Sequence, residues 1–370
     1  MKGNNFIIGF LLFLTFSACD QSSEKELLYI GNFGNDENSG VYVVAFDRET
    51  MDMKVIDTAK TPRSPSYINI HPNKKYLYSV NRGSVSKEAE HGSLSAFKIS
   101  SDGSLLPLNT VSSGDAGPCY VNIDKAGEWL FTAHYSGGSW GAHQLLPEGL
   151  VSKLVVLYRH SGKSKDSIRQ KAPHAHMITT SPDNEYILIN DLGLDQVKIH
   201  NIKPTFDSVN VIETKAGSGP RHLAFHPTLN IIYLAEELSS TVSVWPFTPK
   251  GSMQMKQRLS TLPENYENKS TVADIHISPD GRFLYVSNRG HDSLAIFEIG
   301  EDGDLQLVGH QSTRGERPRN FLIGPKGDYL WVANRDSDQV VLFIRNQKTG
   351  MLDYSGKSIA IPEPVSIKHL

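Results

Sequence analysis

The sequence predicts an all-β fold built from repeated four-stranded units, and three observations support this. One pattern recurs six times: a short strand, a turn such as SPDG, HPNK or GPKG, and a strand rich in β-branched and aromatic residues. Two further short strands follow in most copies, and no helix-period pattern of useful length appears after residue 20. A hairpin followed by two strands is typical of one blade of a β-propeller.

The six copies share one register, set by their turn residues. These residues are Pro72, Lys125, Pro182, Pro227, Pro279 and Pro325. They lie about 45 to 57 residues apart, which is close to the period of known propeller repeats. Because repeated units that stack on their neighbours form one body, we expect one domain rather than two.

A seventh unit is divided between the two ends of the chain. LYIGNF (28–33) matches the second strand of the unit, GVYVVAF (40–46) matches the third, and PVSIKH (364–369) matches the first. Pairing of the two ends would close the ring and remove exposed sheet edges. We therefore predict that residues 27–370 form a seven-bladed β-propeller with four antiparallel strands per blade. An antiparallel sandwich would explain the strands but not their constant register.

The first residues are typical of an export signal. Lys2 supplies a positive start, residues 6–16 are apolar, and this segment is shorter than the roughly 20 residues that a membrane-spanning helix needs. Residues 16–19, FSAC, resemble the cleavage box of bacterial lipoproteins. We predict a signal peptide over 1–18, a lipidated Cys19 and a tether over 19–26. The protein is then an exported lipoprotein, periplasmic or at the cell surface, that meets the membrane only through its anchor.

Composition narrows the partners. The chain has 370 residues, 39% of them hydrophobic, a net charge of -3 and no basic run, which argues against a nucleic-acid partner. If Cys19 is lipidated, Cys119 has no disulfide partner, and we expect it to be a small buried side chain rather than a nucleophile. A monomer is expected.

Polar pairs follow the second strand of most copies, and an apolar strand does not explain them. They are Asn81/Arg82, His134/Tyr135, Asp191/Leu192, Glu236/Glu237, Asn288/Arg289 and Asn334/Arg335. In an antiparallel hairpin the start of the first strand lies beside the end of the second, so Arg221 should lie near Glu236 and Glu237. We expect Glu236 to be solvated and Glu237 to pair with Arg221.

The first strands of a propeller line its central channel, so their leading residues should meet the polar pairs at one mouth. These residues are Ser66, Cys119, His176, Arg221, Ala273 and Arg319. The pocket predicted at this mouth contains His174, His176, Arg221, His222, Glu237, Arg289, Arg319, Arg335 and Arg82. Guanidinium groups match carboxylate and phosphate, so we expect a small anionic ligand, although rim salt bridges would also account for Arg82 and Arg335.

Two other motifs resemble a metal-binding histidine pair and a nucleophile elbow, and we assign neither function to them. His174 and His176 are two apart on a predicted strand and should face one side, but no further ligands appear at a telling spacing. We therefore predict no metal and no cofactor, and a hydrogen-bonding or general-base histidine. Residues 137–141 fit G-x-S-x-G, but they join two strands rather than a strand and a helix, so Ser139 is predicted to be a loop residue.

Several long segments resemble one family. They are APHAHMITTSPD (172–183), INDLGLDQVKIH (189–200), GSGPRHLAFHP (217–227), ELSSTVSVWPF (237–247) and SPDGRFLYVSNRG (278–290). They resemble the lactonase family of seven-bladed propellers, which contains the propeller-type 6-phosphogluconolactonases and is similar to the carboxymuconate lactonising enzymes. The resemblance implies a metal-independent site formed by the PHAH histidines, Arg221, Glu237 and Arg289, and the register favours His176 over His174. Glu236 stands where most relatives have Asn.

The resemblance implies hydrolysis of a sugar-acid lactone such as 6-phosphogluconolactone. We expect His176 or Glu237 to act as the base, Arg221 to stabilise developing charge, and Arg289 with Arg319 or Arg335 to hold a phosphate or carboxylate. Because phosphorylated lactones should be scarce outside the membrane, either the substrate is another lactone or the assignment of the export signal is wrong. The alternatives are a muconate-type lactonising cycloisomerase, a calcium-dependent gluconolactonase, and a non-catalytic propeller that binds a glycan or a protein.

Overall fold

The computed structural model describes residues 26–34, 37–83, 91–203 and 205–370. The predicted signal peptide, Cys19 and all but the last residue of the predicted tether lie outside these residues. Within them, 28 strands form seven four-stranded antiparallel sheets, which are the seven blades of a propeller. No helix in these ranges is long and apolar enough to cross a membrane. The predicted fold class is confirmed.

The strands follow one another in chain order through the blades. Blade 1 contains β1 (Glu26–Asn32), β2 (Gly40–Phe46) and β3 (Met53–Lys60). Blade 2 contains β4 (Pro65–Ile70), β5 (Tyr76–Asn81), β6 (Ser93–Ile99) and β7 (Leu105–Ser112). Blade 3 contains β8 (Pro118–Ile123), β9 (Trp129–His134), β10 (Ser139–Leu145) and β11 (Val151–Arg159), with a one-turn 3-10 helix at Pro147–Gly149.

The remaining blades repeat this order. Blade 4 contains β12 (Ala175–Thr180), β13 (Tyr186–Asp191), β14 (Gln196–Asn201) and β15 (Ser208–Glu213). Blade 5 contains β16 (Pro220–Phe225), β17 (Ile231–Glu236), β18 (Thr241–Pro246) and β19 (Gln257–Ser260). Blade 6 contains β20 (Thr271–Ile277), β21 (Phe283–Arg289), β22 (Ser293–Ile299) and β23 (Leu305–Ser312). Blade 7 contains β24 (Pro318–Ile323), β25 (Tyr329–Asn334), β26 (Gln339–Arg345) and β27 (Leu352–Ala360), with a one-turn 3-10 helix at Arg335–Ser337.

The last strand of the chain, β28 (Pro364–His369), completes blade 1. It pairs antiparallel with β1, with Leu28 opposite His369 and Ile30 opposite Ile367. Nε2 of His369 lies 2.9 Å from Oε2 of Glu26 and adds an ion pair when the imidazole is protonated. The predicted closure of the ring by the two chain ends is confirmed.

Apolar side chains pack between neighbouring blades. Phe46 of blade 1 makes edge-to-face contacts with Tyr329 and Trp331 of blade 7, at 5.2 and 5.1 Å between ring centroids. The second strands are buried on both faces, whereas the outer strand β11 alternates between more and less exposed residues. The packing therefore fixes the inner strands most firmly, and these strands carry the candidate site.

Each first strand carries a β-bulge close to its start, which the sequence did not predict. In blade 5, Pro220 pairs with Glu236 and His222 with Ala235, so Arg221 is an extra residue. The equivalent residues are Ser66, Cys119, His176, Arg319, Val365 and, in blade 6, Ala273 with Asp274. A bulge interrupts the alternation of faces, so successive residues such as Arg221 and His222 can both point into the ring.

The bulge corrects the expectation that His174 and His176 share one face of a regular strand. His174 precedes β12, and His176 is its bulged residue. Ser139 is also not a loop residue, because it is the first residue of β10. Its hydroxyl is fully buried and donates to Oδ2 of Asp115 at 2.8 Å, so this segment is structural. Cys119 is buried as expected, and burial raises the pKa of its thiol to about 11.

The two members of each polar pair have different roles. The first member lies inside its blade, where Asn288 donates to Thr261 O at 2.7 Å and Asn334 donates to Thr313 O at 2.8 Å. Glu236 follows the same rule and is fully buried, so the expectation that it is solvated was wrong. It accepts hydrogen bonds from Thr241 at 2.6 Å and Ser243 at 2.9 Å, and Nε of Arg258 lies 2.6 Å away. Its charge is thus neutralised within blade 5.

Candidate active site

Second members of four polar pairs line a cavity of about 140 Å³. The lining residues are Arg82, Tyr135, Arg169, His176, Glu237, Arg289 and Arg319. Arg82, Tyr135 and Glu237 directly follow second strands, Arg289 ends one, and His176 and Arg319 are bulged residues of first strands. We call this space the arginine cavity. Four arginines face one glutamate across it, so its lining carries an excess of positive charge.

Glu237 is the acidic centre of the cavity. Its Oε2 lies 3.0 Å from Nε of Arg221 and 3.0 Å from a terminal nitrogen of Arg289. Its Oε1 accepts a hydrogen bond from Arg169 at 2.6 Å. Burial alone would raise the pKa of Glu237, but Arg289, Arg221 and Arg169 lower it to about 2. The carboxylate is therefore charged near neutral pH, and arginines engage both of its oxygens.

His176 differs from Glu237 in being uncharged and in having a nitrogen without a partner in the described part of the chain. It is buried, and burial, followed by the charges of Arg221 and the neighbouring His222, holds the pKa of its imidazole well below the usual value of 6.5. Among the described residues, Nδ1 of His176 has no hydrogen-bond partner. A neutral ring with an unused nitrogen at a cavity wall can accept a proton from a bound molecule.

Arg221 and His222 lie behind this wall. Only 2% of Arg221 is exposed, and it is not among the residues that line the cavity. Its guanidinium donates to Ala273 O at 2.5 Å and lies 3.3 Å from Nε2 of His222, whose Nδ1 lies 2.7 Å from Asp274. Burial, and then Arg221, lower the pKa of His222 to about 4. This chain of contacts orients Arg221 toward Glu237.

His174 supports the cavity through Tyr135. The His174 ring stacks on the Tyr135 ring at 4.4 Å between centroids, and its Nδ1 lies 2.7 Å from Tyr135 O. His176 meets the same tyrosine edge to face at 5.6 Å. Tyr135 thus separates the two histidines, and of the pair only His176 lines the arginine cavity.

Arg335 does not line the cavity. Its Nε contacts the carboxylate of the next residue, Asp336, which also pairs with Arg317. The predicted pocket set is therefore divided by the structure: His176, Glu237, Arg289, Arg319 and Arg82 come together, His174, Arg221 and His222 lie behind them, and Arg335 lies apart.

Arg169 is a lining residue that the sequence did not reveal. It lies in the connection between β11 and β12, outside the repeated unit, so no register marks it. Besides its bond to Glu237, it contacts the Tyr135 hydroxyl at 3.2 Å. The length of this connection between two blades was the only signal available.

A larger cavity of about 330 Å³ lies between blades 5 and 6. Tyr120, Met177, His222, Asp274 and His276 line it together with mainly apolar residues of β16 and β20, and its described lining contains no arginine or lysine. In the described ranges, no group of three or more His, Cys, Asp or Glu side chains is placed to hold a metal ion. Of these two cavities, only the arginine cavity has arginines among its described lining residues.

Residues 27–369 match the family described as "Lactonase, 7-bladed beta-propeller". The chain belongs to this lactonase family. It is 31% identical over 350 residues to the 6-phosphogluconolactonase of Bacillus subtilis, a match that covers 94% of this chain and 99% of that protein.

Solved structures of similar proteins share the lactonase propeller. The periplasmic gluconolactonase of Pseudomonas aeruginosa matches with a TM-score of 0.87 and 29% identity, covering 94% of this chain and 99% of that one. A Bacteroides fragilis protein matches with a TM-score of 0.87 and 33% identity, covering 95% and 99%. Lactonases are hydrolases that open lactone rings. The name of the Bacillus subtilis relative specifies a phosphorylated lactone, whereas that of the Pseudomonas aeruginosa protein does not. Family membership alone therefore leaves the substrate open.

Proposed function

We propose that this lactonase hydrolyses a sugar-acid lactone of the 6-phosphogluconolactone type in the arginine cavity, at the mouth of the central channel. The observation that carries the proposal is a neutral, buried His176 beside a cavity whose arginines outnumber its single acid. The volume of about 140 Å³ is below the ~300–1,000 Å³ usual for drug-sized ligands and favours one sugar ring over a glycan chain.

His176 is the proposed general base. Its imidazole takes a proton from water, and the resulting hydroxide attacks the lactone carbonyl carbon. The tetrahedral oxyanion forms beside Arg289, which stabilises the negative charge. The ring C–O bond then breaks, the leaving oxygen takes the proton back from His176, and the open hydroxy acid is released.

Glu237 and Arg221 are assigned supporting roles. Both oxygens of Glu237 are already engaged by arginines, whereas Nδ1 of His176 has no partner among the described residues, so Glu237 holds Arg289 and Arg169 in place rather than acting as the base. Arg221 is covered by protein and stabilises Glu237 from behind. This assignment requires no metal ion and no cofactor.

Proton release from a panel of aldonolactones, phosphorylated and unphosphorylated, tests the proposal. We expect release above the spontaneous rate, insensitivity to a chelator, and a loss of about 10²–10⁴ in kcat for His176→Asn. His134→Asn is the matched control, because His134 is a fully buried histidine outside the cavity lining. Absence of hydrolysis with every lactone, or equal losses in the two variants, would contradict the proposal.

We also propose that the protein is exported as a monomer and anchored through a lipid on Cys19. The basis is the FSAC sequence at residues 16–19 after an apolar segment. Mass spectrometry of the mature N-terminus should find acylated Cys19, and Cys19→Ser should release the protein from membranes. An unprocessed N-terminus in the soluble fraction would contradict this localisation, and gel filtration tests the monomer.

A further inference from the structure

Two arginines of the cavity share one aromatic ring. The guanidinium carbon of Arg82 lies 4.9 Å from the centroid of the Phe33 ring, and that of Arg319 lies 4.6 Å from it. These residues come from three different blades: Phe33 follows β1, Arg82 follows β5, and Arg319 lies on β24. Such packing directs both cations to one part of the cavity wall.

These two arginines differ from the others in their acid partners. Arg169, Arg221 and Arg289 all pair with the single carboxylate of Glu237. Among the described residues, neither Arg82 nor Arg319 forms an ion pair with a carboxylate. The positive charge that Glu237 leaves uncompensated is therefore concentrated on the side of the cavity next to Phe33.

Both guanidiniums can still donate hydrogen bonds to an oxyanion. A guanidinium that stacks on an aromatic ring uses its face, and its N–H donors remain available around its edge. Burial, followed by the charges of Arg221, Arg289 and Arg82, holds the pKa of Arg319 well below its usual value. A bound anion would offset this repulsion, and two adjacent guanidiniums match the charge of a phosphate monoester.

We propose that Arg82 and Arg319, held on the Phe33 ring, form a subsite for a second oxyanion group on the substrate, separate from the lactone carbonyl. This inference rests on the proposed lactonase function and narrows it to lactones that carry an anionic substituent. A phosphate ester or a carboxylate supplies the same oxygen ligands. The phosphate dianion should bind more tightly because its charge equals that of the pair.

Three lactones distinguish the possibilities: gluconolactone without an anion, 6-phosphogluconolactone with a phosphate, and a glucaric acid lactone with a carboxylate. We expect kcat/KM to be highest for the phosphorylated lactone. Arg82→Gln with Arg319→Gln should lower kcat/KM for the anionic lactones about 10²-fold or more and change that for gluconolactone less than threefold. Preference for the carboxylate over the phosphate would assign the subsite to a carboxylate instead.

Arg282→Gln is the matched control. Arg282 also stacks on a phenylalanine, at 5.4 Å from the Phe283 ring, but it lies at the hairpin turn on the opposite face of the propeller. Arg282→Gln removes one positive charge, half of what the double variant removes and as much as Arg82→Gln alone, so a general effect of net charge would appear in it as well. Phe33→Leu removes the shared ring and should weaken selectivity for anionic lactones while both charges remain.

Binding of 6-phosphogluconate, measured by calorimetry, separates failure of the subsite from failure of the catalytic proposal. If no lactone is hydrolysed but the double variant binds 6-phosphogluconate at least tenfold more weakly than the parent, the subsite stands and the catalytic proposal falls. If gluconolactone is hydrolysed as well as the anionic lactones, or all lactones lose equally in the double variant, the subsite is overturned. Should Arg319→Gln not fold, Arg82→Gln alone, at an exposed side chain, gives the same comparison.

Discussion

At the scale of single residues, the candidate site depends on one carboxylate that is shared by three guanidiniums. Burial alone would favour the neutral form of Glu237, but its three cationic neighbours lower its pKa to about 2. The group is thus fully ionised in a buried place, and each arginine around it depends on that charge. Its removal leaves buried cations without a partner, which is more costly than the loss of a surface ion pair.

Glu237→Gln should therefore destabilise the protein by about 3–5 kcal/mol, because the neutral amide cannot compensate Arg221 and Arg289. Urea unfolding at pH 7 measures this change. Glu298→Gln is the control, since Glu298 is an exposed residue of β22, and we expect an effect below about 0.5 kcal/mol. Similar midpoints for the two variants would show that the Glu237 cluster contributes little to stability.

The pH dependence of catalysis follows from His176. A base must be unprotonated in the free enzyme, and the pKa of His176 lies well below 6.5. We therefore expect kcat/KM for an unphosphorylated lactone to be flat between about pH 8 and 6 and to fall only at more acidic values. Initial rates corrected for spontaneous hydrolysis test this. A decline centred near pH 6.5 would mean that an ordinary solvated histidine controls the reaction.

At the scale of secondary-structure elements, the repeat predicted the strands well because their alternation and turns are local properties. It also predicted that Arg221, His176 and Arg319 occupy equivalent positions, and the structure places all three at bulges. The bulge itself could not be predicted, since it arises from pairing between strands. For the same reason the sequence did not show that Arg221 is covered while Arg319 lines the cavity.

The polar pairs show a second limit of the sequence. Register located both Glu236 and Glu237, but which one faces the cavity depends on the end of β17. Glu236 still belongs to that strand and bonds within its blade, whereas Glu237 has left it. Arg169 could not be found at all, because a connection between blades has no counterpart in the other copies.

His134 occupies a position that asparagine occupies in other blades. His134 Nε2 lies 2.9 Å from Ser113 O, in the place where Asn288 and Asn334 bond to the equivalent carbonyls of their blades. Burial is the main reason that the pKa of His134 is lowered to about 4. Since the unfolded chain binds the proton first, stability should be lost as the pH falls from about 6.5 to 4.

His134→Asn should remove that loss, because asparagine can keep the carbonyl bond and does not titrate. The expected difference between the variant and the parent, in how much stability each loses from pH 7 to pH 4, is about 3 kcal/mol. Urea unfolding at both pH values measures it. Equal losses of stability in the two proteins would mean that titration of His134 does not contribute to the loss and that other groups cause the acid transition.

At the scale of the whole molecule, the arginine cavity exists only while the ring is closed. Its lining residues come from blades 2 to 7, and the Phe33 ring that supports Arg82 and Arg319 follows β1 in blade 1. Blade 1 in turn is completed by β28 from the other end of the chain. Assembly of the proposed anion subsite therefore requires closure of the propeller.

Deletion of residues 364–370 should destabilise the fold far more than deletion of residues 1–25, although the second deletion is longer. The first removes buried Val365 and Ile367, the Ser366 hydroxyl that accepts from Ile68 N at 3.2 Å, and the pairing partner of β1. An unpaired β1 also exposes a sheet edge, so we expect aggregation or a melting temperature lower by more than about 10 °C. Loss of residues 1–25, all before β1, should shift the melting temperature by less than about 3 °C.

A synthetic peptide of residues 362–370 should restore part of the stability by occupying the β28 position. Equal melting temperatures for the two truncated proteins would show that the chain ends do not hold the ring together.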